Sequence, residues 1–409
     1  MAEQSGLLSG LRVIDCATYI AGPAAAVVMS DFGAEVIKVE RPPFGDPYRY
    51  LHLVPVMPVS DQAYCWLLDG RNKKSLALDL GTLDGRDALL KLVATADVFI
   101  TNYQPALVRK FALSFDDLRP CNDRLIYAQV TGYGETGDDV DRPGYDLTAY
   151  WARSGMMGSM HNAGGEPALS PAGFGDHPTA MALFGAIMLA LYQREKTGLG
   201  SRVTTSLMAT GAWSNACAIQ AALCEAVFSP KYTRLTSLNP IVNHYVTKDQ
   251  QRFITCCLDP KKDWPNLCRA LGKPELIEDE RFSSPDARRG HAPELVAIID
   301  HAVAARDMAE WVAIFRDHDV IWGPVPSIQQ VASDAQMESN GVFPSIAGGP
   351  QTVDSPIRMD GAMKTRPSLA PGVGEHSGEV LQSLGYSDHA IRDMVKRGIT
   401  MDYKGPGSR

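Results

Sequence analysis

Residues 174–200, FGDHPTAMALFGAIMLALYQREKTGLG, set one carboxylate, Asp176, between a glycine and a long apolar run that ends in Lys-Thr-Gly. The run has the length and the stop signals of a helix, so Asp176 falls at its N-terminus. There, unpaired backbone N–H groups and the helix dipole favour the ionised form of a carboxylate. An ionised, partly desolvated carboxylate can attack an activated acyl group. An Asp ahead of an apolar helix is also the ordinary pattern of an N-cap, and this segment taken alone favours the cap.

Two other groups of residues carry potential chemistry. Gly132-Tyr133-Gly134-Glu135-Thr136-Gly137 matches G-x-G-x-x-G and follows a predicted strand. Asp138, Asp139, Asp141 and Pro143 come next, where a dinucleotide site requires an apolar helix. The turn therefore reads as ligand-facing and not as a pyrophosphate cradle. Arg41, Arg49, Arg71, Lys73, Lys74, Arg109 and Lys110 fall near predicted strand ends, where α/β sheets bind ligands. In a chain of net charge −8 such a cluster suits a phosphate-bearing nucleotide, while solvated surface charge accounts equally well for any single member. There is no G-x-x-x-x-G-K-[ST] and no G-x-S-x-G, so ATP hydrolysis and serine esterase chemistry have no support. The eight Cys lack C-x-x-C spacing and the nine His lack H-E-x-x-H, so neither a disulfide framework nor a metal site is expected.

Positioning these groups requires a frame, and the chain spells one out. Strand-like runs at 11–17, 35–40, 75–80, 97–102, 125–132 and 202–208 alternate with helical runs at 23–32, 84–96, 146–155 and after Asp176. Repeated β-α-β units call for a parallel, doubly wound sheet, an α/β fold. Beyond about Phe228 the texture changes: two strands within 243–258 surround a Lys-Asp-Gln turn, and helices follow at 262–271, 291–304 and 308–316. Residues 342–359 read as a small β segment, and two helices split by Gly385 end the chain. The expected organisation is a large domain over 1–227 and 329–409, with a small α+β domain over 228–328. The longest apolar run, 180–192, is too short to span a bilayer. The first residues lack the basic and apolar regions of a secretory signal, so the expected location is the cytoplasm. The acidic balance speaks against nucleic acid or an anionic membrane as a partner.

Taken in order, LRVIDCATYIAGPAA, DFGAEVIKVERP, GRNKKSLALDL, ADVFITNY, TGYGETG with GYD behind it, Gly175-Asp176, KTGLGSRV, GPV at 323–325 and APGVGEHSGEVLQSLGY resemble a family III CoA-transferase over nearly the whole chain. The resemblance reverses the cap reading, because the family's nucleophile matches Asp176. It implies transfer of coenzyme A from an acyl-CoA donor of the succinyl-CoA type to a small carboxylic acid, through an aspartyl anhydride and an aspartyl-CoA thioester. CoA is then a substrate, and no tightly bound cofactor is implied. The CoA contacts carried over are Ile20, Ala21, Arg41, Leu78, Asn102, Tyr103, Gln104, Lys110, Thr131, Gly132, Tyr133 and Gly134. A Rossmann-like large domain, a smaller middle domain and an interlocked, ring-like homodimer are implied as well. Two departures matter. Oxalate-type members have Gln where this chain has Ile20, and α-methylacyl-CoA racemases have His where it has Tyr145. Racemisation, which needs two bases flanking the α-carbon, and a non-catalytic CoA-binding role are the alternatives.

Overall fold

Alternation along the strands decides which helices cover them. The computed structural model describes residues 6–403 and 405. β1 (Arg12–Asp15) is followed by α1 (Ala21–Asp31), β2 (Glu35–Glu40), α2 (Tyr64–Asp69), β3 (Lys73–Ala77) and α3 (Leu83–Val93). Next come β4 (Val98–Thr101), α4 (Pro105–Phe111), α5 (Phe115–Leu118), β5 (Ile126–Thr131) and a π-helical segment, Asp146–Ala152. After α6 (Met156–Ser159), the long α7 (Asp176–Thr197) leads to β6 (Arg202–Ser206), α8 (Leu207–Ser214) and α9 (Ala216–Leu223). The six strands expected from the sequence are present, in the order β3-β2-β1-β4-β5-β6 with every pairing parallel. The order reverses between β1 and β4, and ligands of such sheets gather at the carboxyl ends of the strands there.

Val13, Val98, Ile100, Ile126 and Ala128 turn to one face and pack with Ala25 and Met29 of α1 and Leu183 and Ile187 of α7. Every residue of α1 is buried, and its small side chains (Ala24, Ala25, Ala26) let it lie close against α7. Ile14, Ile37, Phe99 and Tyr127 turn to the opposite face, onto Leu89 and Leu92 of α3. α7 stops at Gly198, whose φ of 75° closes the last turn in the left-handed conformation.

The middle of the chain forms a second unit, Ser159–Ala168 with Glu225–Asn340. It holds an antiparallel sheet, β7 (His244–Val246), β8 (Arg252–Thr255) and β9 (Trp322–Pro324), in that order. α10 (Asp263–Ala270), α11 (Pro285–Gly290), α12 (Ala292–Val303) and α13 (Met308–Asp317) accompany it. Phe253, Trp264, Leu295, Ile299, Trp311 and Phe315 form its core. The short α14 (Ile328–Val331) and α15 (Ala335–Ser339) close this unit.

From Gly341 the chain belongs again to the unit of the parallel sheet. α16 (Ser377–Ser383) and α17 (Asp388–Lys396) bring Val380, Leu381 and Met394 to the sheet face that carries Leu89. The Gly374 N–H donates to Ser75 Oγ at 2.7 Å, and the Ala77 N–H donates to Ser377 Oγ at 3.0 Å, which fastens this return to β3. The β segment expected over 342–359 is not formed as strands. Only isolated bridges occur, Ser345 with Gln351 and Met359 with Ala362. Pro344, Pro350 and Pro356 remove the amide donors that a ladder would need.

Candidate active site

α7 has Gly175 as its N-cap, with no side chain to cap with, and Asp176 is its first residue. The cap is supplied from elsewhere. Asp146, at the start of the π-helical segment, accepts the Gly175 N–H with both carboxylate oxygens at 3.0 Å. The amides of Gly173 and Asp176 also bear on this carboxylate and favour its charged form. Gly175 has to be glycine: a Cβ there would lie 2.2 Å from the Tyr150 ring and 2.6 Å from Asp146 Oδ1. The His177 N–H donates to Gly173 O at 3.2 Å and the Thr179 N–H to Gly175 O at 3.1 Å, and Pro178 has no N–H. The amides of Gly175, His177 and Thr179 are therefore already engaged.

This arrangement corrects the expectation that the helix end keeps Asp176 ionised. Burial, with the Asp146 and Asp69 carboxylates nearby, pushes the Asp176 carboxyl up to about 7, and only His177 acts in the opposite sense. Burial also raises Asp146, although the amides of Gly175 and its neighbours and the charge of His177 pull the other way. For His177 burial disfavours the charged ring, but Asp69 overrides it and raises the imidazole to about 9. His177 Nδ1 lies 3.0 Å from Gly173 O, and Nε2 lies 3.4 Å from Asp69 Oδ2. Asp69, buried at the end of α2, also accepts the Tyr48 hydroxyl at 2.8 Å.

The loop between β1 and α1 borders the same turn. A Cβ on Gly173 would lie 3.2 Å from the His177 ring and 3.4 Å from Ile20 Cδ1, so Ile20 sits beside the entry to α7. Asn102, at the end of β4, grips this loop: its Oδ1 accepts the Thr18 N–H at 2.8 Å and its Nδ2 donates to Thr18 O at 2.7 Å. Asp46 accepts the Tyr19 N–H at 3.1 Å and pairs with Lys38 at 2.8 Å. Lys38 is fully buried and also reaches Asp15 and Ala17 O, while Lys73 pairs with Asp15 at 2.8 Å. A buried charge network thus underlies the loop. Each member is matched, as burial of charge demands.

The expected CoA contacts fall into three places. Ile20, Ala21, Asn102, Tyr103 and Gln104 lie at the carboxyl ends of β1 and β4, where the strand order reverses. Ala21 begins α1 and Gln104 precedes α4, while the Tyr103 phenol meets the Cys16 thiol. Thr131, Gly132, Tyr133 and Gly134 follow β5: the Gly134 N–H donates to Thr131 Oγ1 at 3.0 Å, and a Cβ on Gly132 would lie 2.7 Å from the Gly144 Cα. Leu78 stands apart, with its side chain in the core on the α3 face, so only its backbone is available to a ligand.

The basic residues divide sharply. Arg49 pairs with Glu40 at 2.6 Å, Arg71 with Asp31 at 2.8 Å, and Lys74 with Glu35 and Glu379 at 2.8 and 2.7 Å. With Lys73 these are parts of the frame, and Arg109 lies 3.8 Å from Asp141. Arg41 and Lys110 are exposed, and among the described residues no carboxylate pairs with either. Nearby, Met156 lies in the core, and Arg153 pairs with Asp139 at 3.2 Å. Tyr145 is exposed and meets Tyr19 edge-on, with ring centroids 6.1 Å apart.

Sequence reading singled out Asp176 but not Asp69, Tyr48 or His177. The only local signal was the Gly-Asp-His triplet. Asp146 was visible as the last residue of Gly-Tyr-Asp, with nothing to say that it would cap a helix 30 residues further on.

The chain matches the family model described as CoA-transferase family III over residues 8–377. It is 32% identical to (R)-2-hydroxy-4-methylpentanoate CoA-transferase of Clostridioides difficile, covering 95% of this chain and 98% of that protein. It is also 32% identical to cinnamoyl-CoA:phenyllactate CoA-transferase of Clostridium sporogenes, covering 97% of this chain and 98% of that protein. The crystal structure of a CAIB/BAIF family protein from Brucella suis superposes with a TM-score of 0.82 at 29% identity, over 93% of this chain and all of that one.

Proposed function

This chain belongs to CoA-transferase family III and is a transferase enzyme, and on that premise we propose that Asp176 is the nucleophile that carries CoA between two carboxylic acids. One observation carries the assignment: Asp176 is half-buried as the first residue of α7, while the amide at the helix start is held by Asp146. A carboxylate with no structural bond to keep is available for attack.

The Asp176 carboxylate adds to the thioester carbonyl of the donor; the C–S bond breaks and CoA leaves as thiolate, giving a mixed anhydride. The thiolate attacks the aspartyl carbonyl of that anhydride, forming an aspartyl-CoA thioester and releasing the donor's acid as carboxylate. The acceptor carboxylate attacks this thioester and expels the thiolate again. The thiolate then attacks the acceptor's carbonyl, and Asp176 leaves as free carboxylate. Each step exchanges one acyl oxygen or sulfur bond for another, so no ATP is needed. Asp146 keeps the backbone at Gly175 fixed throughout, so the attacking oxygen does not move with the helix end.

Arg41 and Lys110 are proposed to meet the phosphates of CoA, and the turn at Thr131–Gly134 to border the thiol end. The uncommitted charge of the first two and the open space around Gly134 support this. The donor is proposed to be an acyl-CoA of the succinyl-CoA type. The acceptor is proposed to be a carboxylic acid with an apolar side chain, of the 2-hydroxy acid type. Ile20 beside α7 and the acids named for the two clostridial relatives support that class. Purified protein incubated with a panel of acyl-CoAs and acids, read by mass spectrometry, should form new acyl-CoA without ATP. If no pair exchanges while α-methylacyl-CoA takes up solvent deuterium at its α-carbon, the chain is a racemase instead.

A further inference from the structure

Three carboxylates, Asp69, Asp146 and Asp176, surround one imidazole, and the mechanism above leaves that imidazole without a role. His177 follows the nucleophile directly on α7. Its Nδ1 lies 3.0 Å from the Gly173 carbonyl and its Nε2 lies 3.4 Å from Asp69 Oδ2. The Nδ1 that faces a carbonyl must carry a proton, and Nε2, at ion-pair distance from a carboxylate but with no hydrogen-bond partner among the described residues, sits where the Asp69 charge favours the second one. Asp69 is itself held by Tyr48, and the ring lies so close to Gly173 that a Cβ there would meet it at 3.2 Å. The ring is thus gripped at both ends.

We propose that His177, fixed as a cation between Asp69 and the Gly173 carbonyl, is a positioning residue that serves as the counter-charge keeping Asp176 anionic beside Asp146. The inference rests on the reading of Asp176 as nucleophile. The charges bearing on His177 and Asp176 come from every side: Asp69 from α2, Asp146 from the π-helical segment, and Tyr48 from the turn Pro47–Leu53. Tyr48 is neutral, since burial beside Asp69 pushes its phenol far up. The amides of Gly175, His177 and Thr179 are committed elsewhere, and among the charges bearing on Asp176 that of His177 opposes its protonation. Without it, the Asp146 and Asp69 charges that bear on Asp176 would be unopposed, an arrangement that drives it to take up a proton.

The test needs no substrate. A water-soluble carbodiimide with an amine labels protonated carboxyls, and peptide mass spectrometry reads the labelling of Asp176 against pH. In the native enzyme labelling should fall with a midpoint near 7. In His177→Gln the midpoint should rise by about one pH unit, at the low end of what one opposite charge does because the ring is half-buried. His177→Lys, which restores a cation, should bring it back towards the native value. His177→Asn run in parallel serves if Gln does not fold. An unmoved midpoint in the neutral variants overturns the proposal, and so does an equal rise in His177→Lys, which would mean that packing and not charge is responsible. If Asp176→Ala still turns over, the nucleophile reading fails separately, since the labelling midpoint reports on His177 whatever Asp176 does in turnover.

Discussion

Asp176 begins its helix without capping it, and that frees its carboxylate at an electrostatic cost. Its pKa is raised from 3.8 to about 7, so the carboxyl holds its proton more tightly in the fold than in the unfolded chain. The stability this contributes is present below 3.8 and is lost as pH rises through about 7. Asp176→Asn should therefore melt at higher temperature than the native enzyme above neutrality. The gain should grow between those two values and level off beyond them, which calorimetry across pH checks. The same value fixes the sign for activity. Attack requires the ionised form, so kcat/KM should fall about tenfold per pH unit on the acid side of about 7. A flat profile down to pH 5 would contradict this. Arg41 and Lys110 belong to binding: Arg41→Ala or Lys110→Ala should raise the KM for CoA thioesters several-fold, more so in salt, and leave kcat nearly unchanged.

At the scale of elements, the site is the meeting of α7's first turn with the loops after β1, β4 and β5. Gly175 is where that meeting is least tolerant. Gly175→Ala puts a methyl 2.2 Å from the Tyr150 ring and against Asp146, so the helix start must shift. A loss of stability of roughly 1–3 kcal/mol is expected for such overpacking, together with a collapse of kcat; chemical denaturation and kinetics measure the two separately. The elements themselves were largely legible. The strands at 35–40, 98–101 and 126–131 are short runs rich in Val, Ile, Phe and Tyr, and α7 is bracketed by Gly175 and Gly198, signals that lie within a few residues. The site was legible at one point only. Asp69, Tyr48 and His177 meet through contacts between distant segments, and nothing in the local pattern around Asp69 distinguishes it from a surface acid. The basic residues were ambiguous for the same reason. Arg49, Arg71, Lys73 and Lys74 could be read as nucleotide contacts or as solvated surface charge, because their carboxylates, Glu40, Asp31, Asp15 and Glu35, come from other strands and helices. β9 escaped notice because its residues, Trp322-Gly323-Pro324, combine the glycine and proline that ordinarily mark a turn.

For the whole molecule, the chain leaves and rejoins the unit of the parallel sheet, and its last helices complete the face opposite α1 and α7. That unit also displays apolar surface with no cover: α9 buries none of its residues, and Trp213 is 81% exposed. Surface of this kind on a globular protein marks association. We propose a homodimer, in keeping with the family resemblance. Light scattering over a wide concentration range should find no folded monomer, and in denaturant dissociation should coincide with loss of circular dichroism. A folded monomer on dilution would refute the obligate dimer and leave the chemistry at Asp176 untouched.

The measurement that bears most directly on that chemistry is to catch the covalent intermediate. Enzyme mixed with a working acyl-CoA donor and no acceptor, then quenched with hydroxylamine, should carry a hydroxamate on Asp176, found by mass spectrometry of the peptide spanning Gly175 and His177. Asp176→Ala should show no label and no turnover while still binding CoA. A label on any other residue, or full turnover in Asp176→Ala, would contradict the assignment.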